Sequence, residues 1–274
     1  MEGFYNEDAL STKKDRGMIG RLEVGSVDLV ICDPPFGITA RNTWDTKLDL
    51  DVMFAQLERV TKPEAAVIFF SQGMLTAELM TGPWKRYYRT TLVWRFNKPR
   101  GFLNASRRPL VYHCDIVIFY RKQCTYNPQM VASVLPVHGC KRKATSVNYG
   151  HAEGGVNKRA GAKDRFPGSV IEFPVVNAED PDKFHPTQKP VDLCRYLIDT
   201  YSNPGDLVVD FCAGSGTTGV AALASGRRFV GFETNADYHA RASDRLEKCT
   251  EPTSLPPAKK HKAKPRRTLK PIQL

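Results

Sequence analysis

The feature that most constrains this chain is an alternation of short apolar runs with amphipathic segments, where the apolar runs close on turns of acid, proline or glycine. Val27 to Cys32 (VDLVIC) runs straight into Asp33-Pro34-Pro35-Phe36-Gly37, which reads as a buried strand stopped by two prolines. Asp49 to Val60 then places Leu50, Met53, Phe54, Leu57 and Val60 at helical spacing, and Ala65 to Phe70 is a second buried strand. Gly73 to Met80 reads as a short helix. Tyr88 to Phe96 and Val111 to Tyr120, rich in β-branched and aromatic residues, read as strands. The same rhythm returns later: a helix over Pro190 to Tyr201, a strand over Asp206 to Phe211 and a small-residue helix over Thr217 to Ala224. A strand over Arg228 to Glu233 and a helix over Asn235 to Leu246 complete it. Near-continuous apolar strands must be covered on both faces. The pattern therefore predicts an α/β fold, doubly wound, with a mostly parallel sheet between two helix layers.

Two stretches break the rhythm. From about Lys122 to Lys183 the periodicity fades, and glycines mix with Lys141, Arg142, Lys143, Lys158, Arg159, Lys163 and Arg165. That composition reads as an inserted lobe or set of loops. Residues 250 to 274 are punctuated by Pro256, Pro257, Pro265 and Pro271 among Lys259, Lys260, Lys262, Lys264, Arg266, Arg267 and Lys270. This reads as a disordered basic tail, suited to nucleic-acid contact or a nuclear address, and equally to simple solvation.

Charge narrows the partner. Forty Lys and Arg against 29 Asp and Glu give a net +11, which favours a polyanion. The longest apolar run is too short to cross a bilayer, and the N-terminus has no signal-peptide pattern, so no membrane and a cytoplasmic location are expected. Seven cysteines without a C-x-x-C pair speak against a disulfide framework and against a zinc ribbon. His138, Cys140 and His151 lack the paired spacing of a structural metal site, and no metal is expected.

Two turns carry chemistry. Asp210-Phe211-Cys212-Ala213-Gly214-Ser215-Gly216-Thr217-Thr218 follows a strand and opens a helix. Gly214 and Gly216 permit a sharp turn and close approach to a ligand. Glu233 ends the next strand, 23 residues after Asp210, where an acid accepts hydrogen bonds from ribose hydroxyls. Gly219 follows Gly216 by three, but two threonines intervene where a pyrophosphate is usually admitted, which favours a phosphate-free nucleoside cofactor. Glycine at such turns also serves packing alone. The Asp33-Pro34-Pro35-Phe36 turn lies at the carboxyl end of its strand, where open α/β sheets bind ligands. Asp33 and the Pro34 carbonyl can each accept one N–H of an exocyclic amine, which frees its lone pair. The prolines hold these acceptors rigid, and Phe36 offers a stacking face. A merely structural rigid turn would look the same in isolation.

A third segment, His185-Pro186-Thr187-Gln188-Lys189-Pro190, occurs with these two. Together they resemble the DNA amino-methyltransferase family of adenine-N6 and cytosine-N4 type, over about Phe4 to Leu246. The catalytic motif precedes the cofactor loop, as in the permuted beta order of that family. The resemblance implies a Rossmann-like, seven-stranded fold with an inserted target-recognition lobe, S-adenosylmethionine as cofactor and double-stranded DNA as partner. It implies catalytic roles for Asp33, Pro34, Pro35 and Phe36. Around the cofactor it implies Asp33, Asp210, Phe211, Ala213, Gly214, Ser215, Gly216, Thr217 and Thr218, with Glu233 on the ribose. Thr187 and Lys189 would lie toward the cofactor carboxylate, and Asp8 and Ala9 by its adenine. Residues 1–121 would then form the catalytic half, 122–183 the recognition lobe and 184–249 the cofactor half, followed by the tail at 250–274. Homodimers are common in the family, and a restriction-endonuclease partner is unknown from sequence.

Asp33, where cytosine-N4 enzymes more often carry serine, tilts the expected target to adenine N6. Cytosine N4 remains the alternative. An RNA or protein-amide substrate, for which the cofactor loop usually comes first, and a non-catalytic DNA-binding module remain as rivals. Lys98-Pro99-Arg100 and Arg107-Arg108 read as phosphate contacts. Trp44, Trp84, Trp94, His113 and Asp115 read mainly as structural, with Trp44 placed to close over the site.

Overall fold

A computed structural model describes residues 1–37, 45–133, 135–137, 139, 145–146, 150–151 and 159–249. Trp44, His138, Cys140 and the tail from 250 onward lie outside the described residues. The chain divides into two compact units, residues 1–127 with 169–249, and residues 128–168.

The larger unit begins with β1 (Gly3–Tyr5), α1 (Gly17–Arg21), β2 (Val27–Cys32), α2 (Leu50–Val60) and β3 (Thr61–Ser71). It continues with α3 (Met74–Thr81), β4 (Tyr88–Arg100) and β5 (Val111–Phe119). The smaller unit holds β6 (Val131–Ala132), β7 (Thr145–Ser146), β8 (Gly150–His151) and β9 (Asp164–Arg165). They form two antiparallel pairs, β6 with β9 and β7 with β8. The chain then returns to the larger unit through β10 (Val170–Glu172), α4 (Val191–Tyr201), β11 (Leu207–Asp210), α5 (Thr217–Ala224), β12 (Arg228–Phe232) and α6 (Ala236–Cys249).

The main sheet has eight strands in the order β1-β12-β11-β2-β3-β5-β4-β10. All neighbours are parallel except β3–β5 and β5–β4. Seven strands were expected. The short edge strands β1 and β10 are three residues each, too brief for their own alternation to show. β10 is fastened by the Val93 N–H to the Ser169 carbonyl at 2.7 Å and by an Arg95–Glu172 ion pair at 2.6 Å. These contacts draw residues 169–183 into the larger unit, so the inserted unit is narrower than the 122–183 read from composition.

Strand alternation builds two cores. Leu29, Ile31, Ala66 and Ile68 point to a layer closed by Leu193 and Leu197 of α4 and Val220 and Ala221 of α5. Val30, Cys32, Val67 and Phe69 point the other way, onto Met53, Phe54 and Leu57 of α2 and Leu75 and Leu79 of α3. Each fully buried side chain of this size contributes about 1.5–3 kcal/mol of transfer free energy. α2 starts where Asp49 caps it, accepting from the Asp51 and Val52 N–H groups at 3.0 and 3.1 Å. Trp94 is fully buried, and its indole N–H donates to the Phe173 carbonyl at 2.9 Å.

Connections leave β2 toward β3 on one side and β11 toward β12 on the other. The carboxyl ends of these neighbouring parallel strands therefore frame the point where the sheet reverses its order, the position at which doubly wound sheets bind ligands.

Candidate active site

A cavity of about 750 Å³ opens at that switch point. Its walls include Asp33-Pro34-Pro35-Phe36 after β2 and Asp210 to Ser215 after β11, with Thr217 and Thr218 of α5. Glu233 follows β12, Asp8 and Ala9 come from the N-terminal segment, and Thr187 and Lys189 precede α4. Every site residue expected from the sequence lines this one space except Gly216.

Gly216 has φ +69° and caps α5. A Cβ there would meet the Ala242 Cβ of α6 at 3.2 Å, so it turns the chain and faces α6, away from the cavity. Gly219, discounted above, takes the third glycine's packing role: a Cβ there would lie 2.5 Å from the Phe229 ring. Gly214, at φ +51°, does face the site and packs under the His185 ring.

The two carboxylate oxygens of Asp33 differ. Asp33 Oδ2 accepts an ion-paired hydrogen bond from the Lys189 ammonium. Asp33 Oδ1 is buried without a hydrogen-bond partner among the described residues. A buried carboxylate oxygen is costly to leave unpaired, so it is an acceptor awaiting a donor in the cavity. Lys189 was expected toward a cofactor carboxylate. Here its ammonium, buried over the Phe70 ring at 5.1 Å, takes Asp33 as counter-charge, because a buried cation needs one.

Glu233 is organised by backbone. Its Oε2 accepts from the Gly214 N–H and its Oε1 from the Asn235 N–H, both at 2.8 Å, while Asn6 Nδ2 donates to the Glu233 carbonyl at 2.8 Å. Each carboxylate oxygen keeps a lone pair for a diol. Asp8 Oδ1 accepts from the Leu10 N–H at 2.9 Å and fixes the turn on which Asp8 and Ala9 sit. Burial pushes the Asp210 carboxyl up to about 7. Hydrogen bonds from Thr218 and the Cys212 N–H oppose the shift, and the charges of Asp33 and Glu233 add to it. Burial also holds the His185 imidazole down to about 4, partly countered by Asp33, so it is neutral at physiological pH.

Three acids against one buried lysine make this end of the cavity suited to a cation. The donor set therefore fits S-adenosylmethionine: acceptors for a ribose, an acid-rich centre for a sulfonium, and no requirement for a phosphate cradle. Cys114 lines the cavity too, but burial pushes its thiol up to about 12, so it offers no thiolate nucleophile. Among the described residues no group of His, Cys, Asp and Glu is placed to hold a metal, and the six described cysteines are free. No helix among them is long and apolar enough to cross a membrane.

Sequence reasoning missed part of the wall. Phe70, Trp94 and Phe96 form an apolar side, Arg100 and Gly101 an edge, and His185 packs edge-on against Tyr238 at 4.5 Å. Trp94 was read as packing; it packs and also faces the cavity. Only its pairing with Cys114 of β5 and Ile171 of β10, invisible in local sequence, could have shown this. His113 and Asp115 serve structure: the Asp115 carboxylate accepts from Thr76 Oγ1 at 2.9 Å, and the His113 carbonyl accepts from Gln72 Nε2 at 2.9 Å.

The architecture and the site at its switch point define a Rossmann-like α/β protein with a nucleoside-type cavity. A sequence profile of the DNA methylase family matches residues 27–244, and the chain belongs to this family of N6-adenine and N4-cytosine DNA methyltransferases. It is 27% identical over 249 residues to DNA adenine methyltransferase YhdJ of Escherichia coli (strain K12), covering 83% of this chain and 78% of that one. Type II methyltransferase M.HpaI of Haemophilus parainfluenzae is 29% identical over 241 residues, covering 82% and 70%. Among solved structures, the M1.HpyAVI–SAM complex superposes with a TM-score of 0.58 at 22% identity, covering 90% of this chain and 100% of that one. The cytosine-N4-specific PvuII DNA methyltransferase gives 0.60 at 17% identity, covering 90% and 89%. At these identities the structural likeness shows the shared fold.

Proposed function

We propose that the protein is an adenine-N6 DNA methyltransferase that uses S-adenosylmethionine and acts on a base turned out of duplex DNA. The observation that carries the reading is the unpartnered, buried Asp33 Oδ1 in a cavity that Pro34, Glu233 and Asp210 also line. Asp33 at this position and the likeness to the adenine enzyme YhdJ support adenine over cytosine.

An exocyclic amine is a weak nucleophile because its lone pair is delocalised into the ring. Asp33 Oδ1 and the Pro34 carbonyl accept its two N–H groups and hold the nitrogen toward tetrahedral geometry, which localises the pair. The cofactor, when bound, supplies an electrophilic methyl on a cationic sulfur. With the cofactor bound, its methyl would pass to the localised lone pair of the amine, the S–C electron pair would remain on the cofactor sulfur, and Asp33 Oδ1 would take up the surplus N–H proton and pass it on to solvent. Lys189 holds Asp33 in this orientation through the bond to Oδ2. Glu233 and Asp8 hold the nucleoside part, and Phe36 with the Phe70–Trp94–Phe96 wall excludes water from the base.

Duplex DNA is the partner this reading requires, since the amine is otherwise paired, and the net charge of +11 favours it. The smaller unit, residues 128–168, is assigned to target recognition. The test is methylation of unmodified DNA followed by nucleoside mass spectrometry. N6-methyladenine supports the assignment, and N4-methylcytosine alone overturns it.

A further inference from the structure

The turn between β4 and β5 has a feature that the methyl-transfer site does not use. Gly101, at φ +81°, throws the chain into a short 3₁₀ turn over Phe102–Asn104. That turn is closed upon itself by the Asn104 N–H to the Gly101 carbonyl at 3.0 Å and the Ala105 N–H to the Phe102 carbonyl at 3.1 Å. The Arg107 and Arg108 N–H groups both donate to the Asn104 carbonyl, at 2.9 and 3.0 Å. This internal bonding makes a firm knuckle. Its crown is apolar: Phe102 is 73% exposed and Leu103 88% exposed. Two adjacent large hydrophobics held in water by a well-bonded turn are a cost that folding alone does not require.

The surroundings identify the occupant. From Asn97 to Val111 the chain carries Lys98, Arg100, Arg107 and Arg108 and no acidic residue. Arg107 and Arg108 are exposed and have no carboxylate partner among the described residues. Arg100 lies over the Phe96 ring at 4.4 Å, and Arg100 and Gly101 are among the residues that line the cavity. The apolar knuckle is thus flanked along the chain by basic residues, and Gly101, from which it starts, lines the cavity.

We propose that Phe102 and Leu103 form a wedge that enters the base stack of duplex DNA at the target nucleotide, while Arg107 and Arg108 hold the flanking phosphates. The wedge fills the space the base leaves and offsets the cost of unstacking, as inserted apolar side chains do in other bent or opened duplexes. It deepens the DNA-methyltransferase reading and rests on it.

The experiment compares native protein with Phe102→Ala/Leu103→Ala on two duplex oligonucleotides bearing the methylated site, first located by modification-aware sequencing. One carries the normal pair at the target base and the other a mismatch, which opens at lower cost. The wedge predicts that the variant loses about tenfold or more in kcat/KM on the paired duplex and much less on the mismatch, with duplex affinity kept within about threefold. These side chains are exposed, so the variant keeps the native melting temperature. An equal loss on both duplexes, or no loss on either, overturns the wedge. So does a loss accompanied by a change of oligomeric state in light scattering, which would make the knuckle a contact between copies. A native protein that methylates no DNA overturns the underlying reading instead, and does so before the variant is made.

Discussion

Two carboxylates stand at the ends of neighbouring parallel strands and have opposite surroundings. Asp33 follows β2, is ion-paired to Lys189 and keeps one oxygen open to the cavity. Asp210 ends β11, has a backbone and a hydroxyl donor but no cationic partner among the described residues, and burial pushes it up to about 7. Topology brings both acids to the switch point, while their neighbours decide what each can do. A lysine fixes one oxygen of Asp33 and leaves the other turned to the cavity. The dry, acid-rich setting of Asp210 makes it sensitive to any positive charge that arrives.

The largest effect should come from breaking the first half of that contrast. Asp33→Ala removes one of the two amine acceptors and is expected to lower kcat by roughly a hundred- to a thousandfold, while cofactor affinity changes little. Equilibrium binding of the cofactor beside single-turnover rates checks both parts. Lys189→Met leaves the Asp33 charge without its buried partner. It should cost roughly ten- to a hundredfold in kcat, because the carboxylate loses the contact that orients it. A native kcat in Lys189→Met would show the ion pair to be incidental.

Glu233→Gln retains one carbonyl acceptor and introduces a donor that meets the Gly214 or Asn235 N–H badly. The cofactor KM should rise about tenfold with kcat nearly unchanged, as expected for loss of uniform binding. The smallest effect sharpens the second half of the contrast. In the folded state Asp210 keeps its proton up to about pH 7, whereas the unfolded carboxyl loses it near 3.8. The native state therefore binds more protons across that window, and this residue's contribution to stability falls as pH rises through it. Asp210→Asn should remove that slope. Its Tm relative to the native protein should be higher at about pH 8.5 than at about pH 6. The cationic cofactor should also bind the native protein more tightly as pH rises through about 7, with proton release seen by calorimetry in buffers of different ionisation enthalpy. The neutral thioether product should show less of this dependence.

The same contrast shows what was readable beforehand. Both strand-end turns were legible because proline and glycine stop consecutive apolar runs, the helices α2 and α4 because their apolar spacing is regular, and α5 because it is a run of small residues after the glycine turn. The edge strands β1 and β10 were not, since three residues carry no period and their pairing partners are remote in sequence. The residues that gather around the cavity were named from two turns and one motif, yet the contact between Lys189 and Asp33 spans 156 positions and has no local signal. The orientation of Gly216 toward α6 and the apolar wall at Trp94 depend on packing between elements, which no spacing rule reports.

The measurement closest to the central claim is nucleoside mass spectrometry of unmodified duplex DNA incubated with methyl-labelled S-adenosylmethionine and either the native protein or Asp33→Ala. The account predicts labelled N6-methyladenine with the native protein and almost none with the variant. Labelled N4-methylcytosine in its place, or undiminished label with Asp33→Ala, would contradict it.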